Sequence, residues 1–396
     1  MLFEDAFDDD DFSATNERFL AKARQAGPPG ADISGWQHTV WHSLELPAPL
    51  VLATESLHRY QSDTSRGLAP FKERILPSLR AWDEFQYNYD EVTLCSSVTI
   101  ASLLTLAVLK RNGIKTILFE TPTYYATVEQ AMALELRPIL VPCYLGESFD
   151  FRRGMGILDQ RVGELAVWLC QPRPALGWDQ DLATVAAVLD RLSPGSFLVL
   201  DEATEQHWPA QLAKLTPADP RVIRLRSLVK GIGLNGLRVA YIGHTSRLRR
   251  QLLELVEIFQ GGLDYETLQI TCALLEDESG FRSLLRAAHD QVSHLYRVLK
   301  TALLGTDIAL SRIANGYIGS LALPRPTHLT RAAFGALLLD YCERLNCPVM
   351  LGASMYFARD NDREFVRINY YNDPARVLTG VEALSRFLRP DDVQQH

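Results

Sequence analysis

Long apolar runs are missing from this 396-residue chain. A membrane-spanning helix needs roughly 18 or more consecutive apolar residues, so no membrane partner is expected. Basic excess is missing as well: 40 Lys and Arg stand against 48 Asp and Glu, for a net charge of −8. A balance of that sign argues against nucleic acid as a partner. Cysteine is sparse, with six residues at 95, 143, 170, 272, 342 and 347 and no spacing typical of metal ligands. They read as reduced, buried thiols of a cytoplasmic protein, and no metal site is expected. The first residues show no basic segment followed by an apolar one, so a signal peptide is not expected either.

What is present is the composition of a globular protein, 47% hydrophobic and 22% charged, in a chain long enough for about two domains. Residues 1–12 concentrate Glu4, Asp5, Asp8, Asp9, Asp10 and Asp11 between phenylalanines and read as a frayed acidic tail. A helix is predicted over 13–25, then an irregular lead-in around Gly35-Trp36, then a helix between Tyr60 and Trp82. From Val92 onward, short apolar strands alternate with helical segments: 92–94, 114–119, 138–142, 165–170, 197–200, 222–225 and 239–243. That alternation predicts an α/β fold, a mostly parallel doubly wound sheet with its sites at the strand carboxyl ends. A helix over 179–192 capped by Asp179 and a helical region over 281–304 belong to the same pattern. The last ninety or so residues read as a smaller α+β module: strand 317–323, helix 330–345, strands 349–351 and 365–371, and a helix from Pro374 with Asp373 as its cap.

The most informative stretch is Ser227-Leu-Val-Lys-Gly-Ile-Gly-Leu-Asn-Gly-Leu-Arg238. A desolvated lysine near other cations has a lowered pKa and can attack a carbonyl to form an imine. Serine and arginine beside it suit a phosphate. A strand followed by Ser97-Val-Thr99 and a helix is the geometry that receives an anion on backbone N–H groups, and equally that of an ordinary capped turn. Asp201 ends an apolar strand 29 residues before Lys230; it is either a helix cap or the buried carboxylate that keeps a pyridinium nitrogen protonated. Arg367, alternating with Phe365, Asn369 and Tyr371, is either a snorkelling surface residue or a clamp for a substrate carboxylate.

Taken in order along the chain, these elements resemble the fold type I pyridoxal-phosphate enzymes of the class I/II aminotransferase family. The resemblance covers nearly everything after about residue 30. It implies pyridoxal 5'-phosphate as cofactor, attached through a Schiff base to Lys230, with Ser97, Val98, Thr99, Ser227 and Arg238 around its phosphate. It also implies Asp201 on the ring nitrogen, Tyr124 stacked on the ring, and Arg367 on the substrate α-carboxylate. The expected organisation is a large domain over 51–285 and a small one from 1–50 and 286–396. Family members pair as homodimers with shared active sites, so Tyr60 is expected at the neighbouring phosphate, with Gly35 and Trp36 near substrate. The substrate is then a small-molecule amino acid.

Three positions depart from the family. Where it writes Asn-Pro-x-Asn-Pro-Thr-Gly, this chain has Gln171-Pro-Arg-Pro-Ala-Leu-Gly177, so Pro174 replaces an asparagine that would donate to the cofactor's phenolic oxygen. Thr204 replaces a tyrosine with the same task, and Val229 stands where a second serine is common. Only Thr204, Gln171 or a water is left to donate there. Two enzymatic outcomes therefore stay open. One is amino transfer. The other is a non-transaminating reaction of specialised metabolism: elimination or replacement at the β or γ carbon, cyclisation, chemistry on S-adenosylmethionine, or oxidation by O₂. A degenerate cofactor-binding regulator is a third reading, disfavoured because Lys230, Asp201, Arg238 and Arg367 are all retained. His207 and Trp208 either touch substrate or pack a loop.

Overall fold

A computed structural model of the chain describes residues 31–34, 68–144, 150–160, 163–209, 212, 219–357 and 362–389. The predicted acidic tail, the 13–25 helix, Gly35, Trp36 and Tyr60 lie outside the described residues. The first described helix, α1, spans Ala69–Asp83. A seven-stranded sheet follows, built from β1 (Val92–Cys95), β2 (Thr116–Thr121), β3 (Arg137–Pro142), β4 (Ala166–Cys170), β5 (Phe197–Glu202), β6 (Val222–Ser227) and β7 (Ala240–Gly243). Their spatial order is β1-β7-β6-β5-β4-β2-β3. Only β7 runs against the others, antiparallel to both β1 and β6.

The composition of the strands explains the layering. β2, β4 and β5 are buried at every residue, as expected for parallel strands covered on both faces by helices. On one face lie α2 (Val98–Arg111) and α6 (Arg249–Phe259), whose Leu104, Val108, Leu252 and Leu255 join the Trp168 and Ile242 side chains in one core. On the other, α4 (Arg152–Gln160) and α5 (Leu182–Arg191) cover Leu118, Val167 and Leu198. The remaining large-sheet helix, α3, is Tyr125–Ala133. Asp181, not the predicted Asp179, caps α5 by accepting from the Ala183 N–H at 3.2 Å. Asp179 is engaged elsewhere, accepting from the Gln171 and Asn315 side-chain amides at 2.7 Å each.

A helix not anticipated in the sequence, α7 (Tyr265–Glu276), precedes the 25-residue α8 (Glu278–Ala302). α8 joins two cores. Its Phe281 and Leu285 pack with α1 and β7 residues such as Trp82 and Tyr241, whereas Val292, Leu295 and Leu299 belong to the core of a second, three-stranded sheet. That sheet, ordered β10-β9-β8, consists of β8 (Ala309–Leu310), β9 (Ile318–Pro324) and β10 (Arg363–Asn369), with α9 (Arg331–Arg344) and α10 (Pro374–Phe387) packed on it. The predicted strand at 349–351 is reduced to a single bridge between Leu351 and Val366, because a 3₁₀ turn over Gly352–Met355 follows at once. Asp373 caps α10 by accepting from the Arg376 N–H at 3.0 Å. Ala31 and Ile33 pack into this second core, so the amino-terminal described segment joins the carboxyl-terminal module. All six cysteines are buried, and none is joined to another by a disulfide. No helix among the described residues is long and apolar enough to cross a membrane.

One charge cluster ties α1 to the sheet. Arg224 of β6 meets Asp83 at 3.2 Å and Glu202 at 2.8 Å, and the Tyr241 hydroxyl donates to Asp83 at 2.9 Å. All these groups are buried. Removing one partner of such a cluster leaves an uncompensated charge away from water. Arg224→Ala is accordingly expected to lower stability to urea by about 3–5 kcal/mol. Arg250→Ala, which removes an exposed 3.8 Å contact to Glu254, should cost under about 1 kcal/mol in the same measurement.

Candidate active site

Because six of the seven strands run one way, β1, β2, β4, β5 and β6 all discharge their loops at one edge of the sheet. There, Ser97, Tyr124, Pro172, Asp201 and Lys230 line two adjoining hollows. β7 runs in reverse, so its amino end lies at the same edge and brings Arg238 there.

The first hollow is polar. Ser97, Val98, Thr99, Ser227 and Arg238 line it together with Asn235, so residues spread over some 140 positions of sequence meet at one place. Ser97 is the N-cap of α2 and accepts from the Ile100 N–H at 3.2 Å. The helix thus presents its amino end, with its partial positive charge, to this space. The Ser227 hydroxyl accepts from the Lys230 N–H at 3.1 Å and fixes the loop that carries the lysine. Gly231 is required at the next position: a Cβ there would lie 2.5 Å from the Glu205 carbonyl oxygen. Asn235 escaped the sequence reading because nothing marks one amide in a glycine-rich loop. Its partner is Tyr317 of the module after α8, with the Asn235 amide donating to the tyrosine oxygen at 3.3 Å.

The second hollow is a cleft beside the first. Asp201, Lys230, Tyr124, Thr204 and Arg367 all line it, as does Pro174. Burial drives the Lys230 ammonium down from its usual value to about 8; Asp201 opposes that shift, while Arg238 and Arg367 add to it. The Asp201 carboxyl is raised by burial, against the pull of Lys230 and of the Ala203 N–H, which donates to it at 3.1 Å. Burial brings the Arg367 guanidinium down to about 10, with the Tyr124, Tyr125 and Tyr317 phenols resisting. Arg367 is held from behind by Ser34: it donates to the Ser34 carbonyl, and the Ser34 hydroxyl donates to the Arg367 carbonyl. Ser34 is invisible to motif reading, since it acts through tertiary contact alone. Tyr124, at the amino end of α3, has its hydroxyl pushed up to about 12, chiefly by burial.

Two of the possible substitutes for the missing phenolic-oxygen donors are resolved by this geometry. Thr204 lines the cleft. Gln171 is turned into a polar cluster, where its amide donates to Asp179 at 2.7 Å and Glu205 at 3.1 Å and its oxygen accepts from the Gln180 N–H at 2.6 Å. His207 joins that cluster through Glu205 at 3.2 Å. Trp208 packs against Trp82 and Phe281 at ring distances of 4.5 and 5.3 Å. Both side chains line a hollow other than the cleft.

Comparison with known proteins places this geometry. The chain matches the family described as aminotransferase class I and II over residues 36–384. Among curated relatives, the histidinol-phosphate aminotransferase of Moorella thermoacetica is 32% identical over 165 residues, covering 40% of this chain and 41% of that protein. Its counterpart from Listeria monocytogenes is 26% identical over 187 residues, covering 46% and 51%. The chain thus spans about half the length of the curated relatives it matches. Among solved structures, a double mutant of Thermus thermophilus aspartate aminotransferase superposes with a TM-score of 0.76 at 14% identity, over 95% of this chain and 96% of that one; this likeness speaks to the fold.

The protein belongs to the class I and II aminotransferase family. The family's cofactor is pyridoxal 5'-phosphate, and the donor set fits it. Hydroxyls, an amide and a guanidinium at the amino end of α2 suit a phosphate dianion; the buried Asp201 carboxylate suits a pyridinium nitrogen; a lysine of lowered pKa stands between them.

The Lys230 environment makes a prediction. Only the neutral amine attacks, so capture of added cofactor by the apoprotein should quicken as pH rises through the Lys230 value of about 8. From about pH 7 to about pH 9 the neutral fraction, and with it the initial rate, should grow about tenfold. Asp201→Asn removes the group that favours the ammonium and should move the midpoint down. Arg238→Gln removes a repelling cation and should move it up. Stopped-flow absorbance of cofactor binding reads both directions.

Proposed function

We propose that this protein is an aminotransferase that accepts α-amino acids and works as a two-fold homodimer. The observation that carries the reading is Lys230, of lowered pKa, set at the strand edge between the buried Asp201 and the two arginines. Ser97, Thr99, Ser227 and Arg238, with the α2 amino end, are assigned to the phosphate; Val98 and Tyr124 to the ring walls; Thr204 to its phenolic edge. Asp201 keeps the ring nitrogen protonated. When bound, the cofactor supplies an aldehyde carbon that accepts the amino group and a ring that draws off the electron pair left by the lost α-proton. Lys230 Nζ takes that proton from the substrate α-carbon, which a neutral amine with a pKa near 8 does effectively close to neutral pH. Arg367 binds the substrate α-carboxylate and so orients the α-hydrogen toward Nζ.

The cleft falls between two bodies, which we read as a large domain over 51–285 and a small one formed by 1–50 and 286–396. Tyr60, Gly35 and Trp36 are assigned to the shared dimeric site, Tyr60 at the neighbouring protomer's phosphate. The family match and the curated relatives, named as aminotransferases, support amino transfer and do not favour the non-transaminating alternative.

Three measurements test the reading. Borohydride treatment of the loaded protein should leave the reduced cofactor on Lys230 in a peptide map. In the absence of a keto acid, an amino donor should convert the cofactor once per site to its amine form, and a keto acid should restore it. Repeated turnover without a keto acid, with release of ammonia or of a displaced group, would overturn amino transfer. Light scattering at micromolar concentration should give the mass of a dimer; an active monomer would contradict the shared site.

A further inference from the structure

The cleft has a second wall that the assignments above leave unused, and its chemistry speaks to the substrate side chain. Tyr125, Ile318, Met350 and Met355 line the cleft together with Lys230. Both methionines are anchored through their backbones to residues of the cleft or next to them. Met350 accepts from the Arg367 N–H at 2.9 Å and donates to the Ser34 hydroxyl at 3.1 Å. Met355 accepts through its carbonyl from the Thr123 N–H at 3.0 Å, beside Tyr124. Behind them the wall runs into an apolar core of Tyr144, Ala175, Phe357 and Phe365, in which the Phe357 and Phe365 rings stack at 4.1 Å. Methionine side chains are unbranched and polarisable, so they fit apolar groups of varied shape.

Charge tells the same story from the other direction. Besides Lys230 and Arg367, the one cationic side chain lining the cleft among the described residues is Arg173. Its guanidinium is committed elsewhere: it donates to the Asp179 carbonyl at 2.6 Å and the Gln180 side-chain oxygen at 2.8 Å, and its Nε faces Glu120 at 3.7 Å. Among the described residues the cleft thus offers a second carboxylate no cation beyond those already engaged, and taking that carboxylate from water against an apolar lining is unfavourable.

We propose that this wall selects an amino acid with an uncharged, apolar side chain and rejects dicarboxylic ones, Met350, Met355 and Ile318 being the specificity-determining residues. The proposal rests on the assignment of Arg367 to the α-carboxylate in an aminotransferase site. Its test uses binding alone, so that it does not depend on amino transfer. The cofactor-loaded protein is titrated calorimetrically with 4-methylpentanoate and 3-phenylpropionate, which keep one carboxylate and an apolar tail, and with succinate and glutarate. The monocarboxylates are expected to bind at least about tenfold more tightly than the dicarboxylates. Met355→Lys is expected to reverse that order by supplying the missing cation; Ile318→Lys, at a partly exposed position, is the second variant should the first fail to fold. Dicarboxylates that bind the natural protein as tightly as the monocarboxylates overturn the proposal, and so does the absence of binding by either class. A preference for the apolar ligands in a protein that transfers no amino group leaves this inference standing and removes the assigned reaction. Equal affinities in a protein that does transfer amino groups do the reverse.

Discussion

Desolvation of one amine is the constraint on which the rest of the site depends. A lysine in water is charged at neutral pH and cannot attack a carbonyl; loss of hydration is the largest influence bringing Lys230 down to about 8. That burial has to be offset, or the loop carrying the lysine would open to water. Asp201 provides the offset on one side, and the arginines keep it from going too far. The same low-polarity surroundings raise the Asp201 carboxyl and lower the Arg367 guanidinium. Carboxylate and guanidinium therefore both act on the lysine, and replacing either alters its ionisation.

Holding those groups together requires the two cores to meet with little slack. Tyr371, just beyond β10, donates from its hydroxyl to the Gly231 carbonyl at 2.6 Å and accepts from the Gln206 amide at 2.6 Å. Asn315, just before β9, donates to Asp179 and Glu205 at 2.7 Å each, and its oxygen accepts from the Gln206 N–H at 3.1 Å. Asp179, Glu205 and His207 lie close enough together to suggest a cation. Both carboxylates accept from the Gln171 and Asn315 amides, and the oxygen of each amide is fixed by a backbone N–H. Burial would raise Glu205, yet hydrogen bonds from His207 and the nearby Arg226 charge hold it at about 2. The cluster is a joint between the two bodies, and it explains why Gln171 has no role inside the cleft.

The resemblance seen in the sequence rested on residues whose chemistry depends on type and order: a lysine after a serine in a glycine-rich loop, an acid at a strand end, an arginine in a late strand. The sheet brings those residues to one edge, since six strands share a direction. Residues that act by contact were not legible. Ser34 carries no motif and matters only because it lies against Arg367. Asn235 and Tyr317 are 82 positions apart and meet by folding. Asp179 looked like a helix cap because an acid before an apolar segment usually is one; the amides of Gln171 and Asn315 claim it instead. The α7 helix was passed over as connection, although Asp264 caps it by accepting from the Thr267 N–H at 2.7 Å.

By itself, then, the sequence determined the α/β class, the order of strands along the chain, and the residues able to carry the cofactor chemistry. These follow from local periodicity and side-chain type, which a linear reading preserves. The tertiary structure decided how far Lys230 is desolvated, that Arg173 is tied back by Asp179 and Gln180, and that Ile318, Met350 and Met355 share the cleft with the lysine. Each of those depends on which distant residues become neighbours, and on how much water their packing leaves.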